Sequence, residues 1–256
     1  MSYLSRKQLR IGLYPDRLIL AGHRGGLRPT TAWEGTVAVE APDEARHWQP
    51  ALDALPQALE RFNADRRDVT VILSNHFVRY ALLPWNAVLK GADEWLALAR
   101  HRLAGVHGQA SADWEIQVSE TAPRGPRVAC AIDKSLLDCV EATVAGSGAQ
   151  LASVQPLLMA AFNRMRPRPG ESRWLVIAET GRLTLVLVEL GVWRAIRSRQ
   201  VADDWRAELP QMLERKTAIL GVEQPCEEVV VCTHELFDAQ PETCTTCRWL
   251  PLQAVG

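Results

Sequence analysis

The sequence predicts an α/β protein of two halves, each a mixed β-sheet flanked by helices, with a small unit inserted in the first half. Three observations carry this reading. Residues 174–199 hold two β-rich runs around a tight Glu179-Thr180-Gly181 turn, and a second turn at Glu189-Leu190-Gly191 starts a third run, the pattern of a strand meander. Residues 8–39 repeat that pattern near the N-terminus. Between the two, Arg166-Pro167-Arg168-Pro169-Gly170 reads as a hinge, dividing the chain into a first half at 1–165 and a reduced second half at 171–256.

Taken in order, residues 8–14 are strand-like, Pro15-Asp16 turns the chain, 17–23 return, and 30–39 follow a Gly25-Gly26 loop. Trp48, Leu52, Leu55, Leu59 and Phe62 recur every three or four residues, which predicts a helix over 47–63. Pro50 suits its first turn, and Pro56 predicts a break or kink. The apolar run 69–73 suits a buried parallel strand, and 77–83 continues extended up to Pro84. Trp95, Leu96, Ala99, Leu103 and Val106 predict a helix over 93–106, 114–118 alternates like a half-buried strand, and 126–132 is a further strand. Asp133 has the position and chemistry of an N-cap for a helix through Ala145, ended by Gly146 and Gly148. Residues 151–154 return as a strand, and Pro156 begins a short helix to Met165. After the second meander, 202–220 is helical and 228–232 is a core strand, with the tail through Leu250 left unassigned.

At 256 residues, 47% hydrophobic and 23% charged, the chain can bury one large core or two moderate ones. Lys plus Arg number 29 against 30 Asp plus Glu, and no basic run is interleaved with aromatics, so nothing attracts a nucleic acid. The first residues, Met1-Ser2-Tyr3-Leu4-Ser5-Arg6-Lys7, carry no apolar signal core, and no run reaches the roughly 20 apolar residues that span a bilayer. We therefore expect a cytosolic chain without direct membrane insertion, and 6 scattered Cys agree with a reducing compartment.

The order of meander, helix, strand, insertion, helix, strand, helix, hinge and repeated meander resembles the actin-like ATPase fold, two RNase H-like halves as in actin, Hsp70 and sugar kinases. Residues 127–139, Arg-Val-Ala-Cys-Ala-Ile-Asp-Lys-Ser-Leu-Leu-Asp-Cys, then 148–158, Gly-Ala-Gln-Leu-Ala-Ser-Val-Gln-Pro-Leu-Leu, then the second meander, make the chain similar to the PilM family of type IV pilus assembly proteins and the related cytoplasmic domain of GspL, the type II secretion platform protein. Residues 71–85, Val-Ile-Leu-Ser-Asn-His-Phe-Val-Arg-Tyr-Ala-Leu-Leu-Pro-Trp, resemble the hairpin leading into the inserted subdomain of such relatives, which falls at about 85–125.

In that fold the first turn of each half wraps a nucleotide phosphate, with an Asp before a Gly that lets backbone N–H groups approach the anion. This chain departs from the pattern at three places. The first turn reads Gly12-Leu13-Tyr14-Pro15-Asp16, with no Gly at the point of phosphate approach; the second, Ala178-Glu179-Thr180-Gly181, has Glu for Asp; and Thr233-His234-Glu235-Leu236 stands where an adenosine loop would offer Gly-Gly. A retained site for ATP and Mg²⁺ would be built from Gly12, Asp16, Glu179, Thr180 and Gly181, with Glu179 long enough to reach a metal. Our reading is that the site is degenerate, with no cofactor and no catalytic residue.

Other chemistry is weaker. Cys244-Thr-Thr-Cys247 with Cys226 and Cys232 allows a zinc site or redox exchange, although a structural zinc site usually repeats the Cys-x-x-Cys pair, and ordinary free cysteines are favoured. Gly22-His-Arg-Gly-Gly26 lacks phosphate-loop spacing and reads as a hairpin loop. His23, His47, His76, His101, His107 and His234 are scattered, with surface or capped positions as their default, and no Ser sits in a nucleophile elbow. Of nine Trp, Trp48, Trp95, Trp114, Trp174 and Trp193 fall on core faces, while Trp33, Trp85 and Trp205 lie near element ends and are candidates for a partner surface.

The resemblance implies a non-enzymatic cytosolic scaffold, peripheral at the inner membrane through its partners. It would dock the cytosolic segment of a membrane-anchored pilus or secretion platform protein, with an assembly ATPase as a further partner. An extended peptide added beside residues 71–85 would meet Phe77, Tyr80, Leu82 and Trp85. The rival reading is an active ATP-binding or phosphoryl-transferring relative using Asp16, Glu179 and Thr180, and a third is a module that binds a small ligand between the halves.

Overall fold

A computed structural model describes residues 8–24, 30–40, 47–119, 124–165, 170–222, 226, 228–233 and 247–251. The hinge residues 166–169, the Gly25-Gly26 loop, His234 to Leu236 and Cys244 lie outside the described residues.

The first meander is β1 (Gln8–Leu13), β2 (Arg17–Arg24) and β3 (Thr30–Ala38), joined antiparallel in order. Leu9, Ile11 and Leu13 alternate onto one buried face, as period-2 patterning requires. Helix α1 (Gln49–Arg61) lays Ala51, Leu52, Leu55, Ala58 and Leu59 on that face. It does not break at Pro56 as the sequence predicted: Pro56 points to solvent, and buried Leu55 and Ala58 on either side hold the helix through the one missing hydrogen bond. β4 (Asp68–Leu73) then adds parallel to β1.

Beyond β4 the chain leaves this sheet. β5 (Val78–Leu83), α2 (Ala92–His107), β6 (Trp114–Val118) and β7 (Arg127–Asp133) build a three-stranded antiparallel sheet in the order β5-β7-β6. β4 and β5 are therefore not two arms of a hairpin, which corrects the reading of residues 71–85: β5 pairs with β7, and the polar Ser74-Asn75-His76 turn separates two sheets. Trp95, Ala99 and Leu103 of α2 cover one face of the small sheet through Leu83, Ile116, Ala129 and Ala131.

Asp133 caps α3 (Lys134–Gly146), its carboxylate accepting from the Ser135 backbone N–H at 2.9 Å. Replacing Asp133 by Ala is expected to lower the unfolding free energy by about 1 kcal/mol in denaturant titration, with Asp133→Ser largely retaining it. β8 (Gln150–Pro156) returns parallel to β4, completing a sheet of order β3-β2-β1-β4-β8, and α4 (Leu157–Met165) follows. Pro156 closes β8 rather than opening the helix; at a sheet edge its missing N–H forfeits nothing.

The second half repeats the plan. β9 (Arg173–Glu179), β10 (Arg182–Glu189), β11 (Val192–Gln200), α5 (Trp205–Ile219), β12 (Glu228–Thr233) and β13 (Cys247–Pro251) give a sheet of order β11-β10-β9-β12-β13, the order of the first half. The last strand lies in the tail that the sequence left unassigned. Trp205 is only 7% exposed, packed under α5 with Leu209 and Leu213, so it is core and not partner surface. A further core joins the halves: Tyr14, Ile72, Leu157 and Leu158 of the first pack in one cluster with Leu175, Ile177, Val186 and Val230 of the second.

Candidate functional site

The ends of the central strands β1, β4 and β9 converge between the halves, where ligands bind in open α/β sheets. Here the protein's own side chains occupy that place. Glu179, buried at the end of β9, accepts from the Ser74 hydroxyl and from the Asn75 backbone N–H at 3.2 Å. Thr180 Oγ1 donates to Asp16 Oδ2 and accepts from Arg17 Nη2, each at 3.2 Å, while His76 Nε2 donates to the Thr180 carbonyl at 3.1 Å. The first turn of each half is thus bonded to the other across the cleft. Gly181, at φ +69°, supplies the left-handed residue the second turn requires.

Gly12 sits on β1 facing the ring of Tyr14, close enough that a Cβ there would lie 2.6 Å from the ring's Cε2. The close approach that a glycine permits is made by Tyr14, with the Arg17 guanidinium 5.9 Å from the ring centre. What remains open beside Arg17, Glu179, Thr180, Asp203 and Arg206 is a cavity of about 130 Å³. Ligand pockets usually measure about 300–1,000 Å³.

Burial sets the electrostatics. It pushes the Glu179 carboxyl up to about 7, against the lowering effect of Ser74, Asn75 and Arg182, and pushes the Tyr14 hydroxyl far up. His76 is driven the other way, to about 4, by burial and then by the Arg182 charge. Of the histidines read as surface or capped by default, His23 is buried and His76 lies in the cleft. Neither Ser74, Asn75 nor His76 was singled out as a site residue from the sequence, yet the signal was present: a polar triplet directly after a buried parallel strand.

A second concavity, of about 510 Å³, lies between the inserted sheet and the first half. β6 lines one side with Glu115, Gln117 and Val118, β8 the other with Ser153 to Pro156, and Val128, Cys130 and Met159 form an apolar floor. Both flanking strands are edges among the described residues, β6 pairing only with β7 and β8 only with β4. Because the Ser119 N–H bonds the Val128 carbonyl, alternation turns the N–H groups of Ile116 and Val118 away from β7, toward the free edge.

The four residues assigned to a partner do not share one surface. Phe77 is buried beside His47; Tyr80 and Leu82 are half-buried against the core joining the halves, with Tyr80 donating to Asn75 Oδ1 at 2.7 Å; Trp85 is 46% exposed in the loop after β5. Cys232 is buried, the side chains of Cys244 and Cys247 are outside the described residues, and the described residues contain no cluster of three metal-ligating side chains.

Two sheets of identical order, joined through their parallel strand ends, define an actin-like fold of two RNase H-like halves. Among solved structures it is similar to the cytoplasmic domain of EpsL, an inner membrane component of the type II secretion system of Vibrio cholerae, at 16% identity over 97% of this chain and 92% of that one, TM-score 0.60. It is similar also to the PilM–PilN type IV pilus biogenesis complex, at 15% identity, 91% and 82% coverage and TM-score 0.65. A third is a Bacteroides thetaiotaomicron protein with an actin-like ATPase fold and unknown function, at 11% identity, 93% and 86% coverage and TM-score 0.58. No protein-family model and no curated protein sequence matches the chain.

Proposed function

We propose that this protein is a non-enzymatic scaffold of a type IV pilus or type II secretion assembly platform, docking an extended cytosolic segment of a membrane-anchored partner. The observation that carries this reading is the apolar groove with a free strand edge on either side. An entering peptide gains main-chain hydrogen bonds from an edge such as β6 while its side chains settle on Val128, Cys130 and Met159. Likeness in fold to the EpsL cytoplasmic domain and to the PilM–PilN complex supports it. No described helix is long and apolar enough to cross a membrane. An assembly ATPase is a second partner of the same platform.

The rival, an active ATP-binding relative, is disfavoured by the cleft itself: Tyr14 lies over Gly12, the carboxyl of Glu179 is engaged by Ser74 and Asn75, and the remaining cavity is smaller than a nucleotide needs. Calorimetry with ATP and Mg²⁺ is expected to show no micromolar binding. A micromolar constant that disappears in Glu179→Ala would overturn the scaffold reading. Purification from the native cell is expected to bring down a pilus or secretion platform component; a soluble metabolic enzyme in its place contradicts it.

A further inference from the structure

The two halves share one strand order, so β3 and β11 are equivalent edge strands, and they are finished differently. β11 carries Arg194, Arg197 and Arg199, like charges of the kind that keep an edge from pairing with a copy of itself. β3 has no Pro, Lys or Arg, and its one charge is Glu34. Among the described residues it pairs only with β2. The Val39 N–H bonds the Asp16 carbonyl at 2.9 Å, so alternation turns the N–H groups of Gly35 and Val37 toward β2 and those of Glu34, Thr36 and Ala38 outward. All three of these residues are exposed, and Thr36 and Ala38 are small. The α1 side of the strand is unfinished as well. Trp33 stacks on Phe62, with ring centres 5.0 Å apart, and Trp33, Val37, Val39 and Phe62 are half-buried at the margin of the first core.

We propose that β3 is the interface with a second copy of this chain, the two β3 strands pairing antiparallel about a twofold axis at Thr36. That register sets Thr36 against Thr36 and Glu34 against Ala38 of the second copy, so the outward N–H and C=O groups of all three residues enter hydrogen-bonded pairs. It also stays clear of the pairing irregularity between Gly22 and His23, which falls opposite Thr31 to Trp33. An axis at Glu34 would instead set two carboxylates face to face. The helices leave room for this joint. α1 lies over β2, so the two α1 helices stand three strand spacings apart, about 14 Å, where directly packed helices need only about 8–10 Å. Trp33 and Phe62 of both copies fill the gap and lose the exposure they have in one chain. The inference does not rest on the docking role: β8, which lines the groove, is the opposite edge of the same sheet, and each copy keeps its groove open.

Sedimentation of the full chain tests this. At about 100 μM the wild type is expected to show a weight-average mass approaching twice the 28.5 kDa of one chain, falling toward the single chain on dilution. Thr36→Lys sets two ammonium groups on the axis, and Thr36→Pro removes an outward N–H but no bond to β2. Each is expected to raise the dissociation constant of the dimer at least about tenfold, while near-UV and far-UV circular dichroism stay those of the wild type. Thr36→Lys leaves the backbone intact and carries the test if the proline variant fails to fold. Gln200→Lys, exposed at the outer end of β11, is expected to leave the dimer intact. A wild type that is monomeric at about 100 μM overturns the proposal. So does a dimer that survives Thr36→Lys, or one that Gln200→Lys disrupts as strongly.

Discussion

Gln117→Trp is expected to reduce partner capture by at least about tenfold without unfolding the protein, a loss of about 1.4 kcal/mol or more. Gln117 is exposed on the edge strand β6 and lines the groove opposite β8. An indole there occupies space that an entering peptide needs, while the buried face of β6, carried by Ile116, is untouched. Surface substitutions of this kind usually leave stability within about 0.5 kcal/mol. Val118→Pro tests the same edge through its backbone: it removes an outward N–H and no bond to β7, so it weakens an added strand selectively. Affinity measured for the partner's cytosolic segment, beside thermal unfolding of each variant, separates docking from folding. The same pair of measurements on Trp85→Ala gives the contrast, since Trp85 is exposed outside the groove.

The second large effect is on stability as a function of pH. The Glu179 carboxyl is held near 7 in the folded protein against an ordinary value of 4.5, so the native state keeps a proton that the unfolded chain releases. Its contribution is present in full below about pH 4.5 and is lost as pH rises through about 7, by roughly 3 kcal/mol in total. His76, lowered to about 4, has the opposite sign: the unfolded chain takes up a proton that the native state refuses, so stability returns as pH rises from about 4 to the ordinary 6.5. In the wild type the two slopes largely offset one another over that interval. Urea titrations are expected to show unfolding free energy falling with pH in His76→Gln and rising with pH in Glu179→Gln. Parallel profiles for both variants would mean that neither group is held as the cleft geometry requires.

Much of this architecture was legible because local rules and tertiary context agree. The β-rich runs of β9 and β10, the tight turn at Gly181 and the N-cap at Asp133 all act within a few residues, and each appears where the pattern places it. Element ends were less legible. Pro56 lies inside a helix that continues past it, because one missing hydrogen bond on a helix anchored by buried leucines is outweighed by packing. Trp205 looked like surface by its place at a helix start, and only the fold of α5 onto β9 and β10 buries it. The separation of β4 from β5 was hidden for a similar reason: two apolar runs around a polar turn read as a hairpin, and the choice of β7 as partner is made about 50 residues away.

The candidate sites divide the same way. Glu179, Thr180 and Asp16 were picked out from the sequence by the resemblance of their turns to phosphate turns, but their bonding to one another and to Ser74, Asn75 and His76 spans more than 100 residues of sequence. The groove leaves no motif at all. It is made by two strands being left unpaired, a property of sheet order rather than of any residue.

The most direct measurement is site-specific photocrosslinking in the native cell, with a photoreactive phenylalanine at Gln117 in the groove and, separately, at Glu60 on the solvent side of α1. Docking in the groove yields a crosslink at Gln117 to the cytosolic segment of a membrane-anchored pilus or secretion platform protein, absent at Glu60 and lost when Val118→Pro is combined with it. The same crosslinked partner at both positions, or none at Gln117 in a chain that still co-purifies with the platform, would contradict the groove as the docking site.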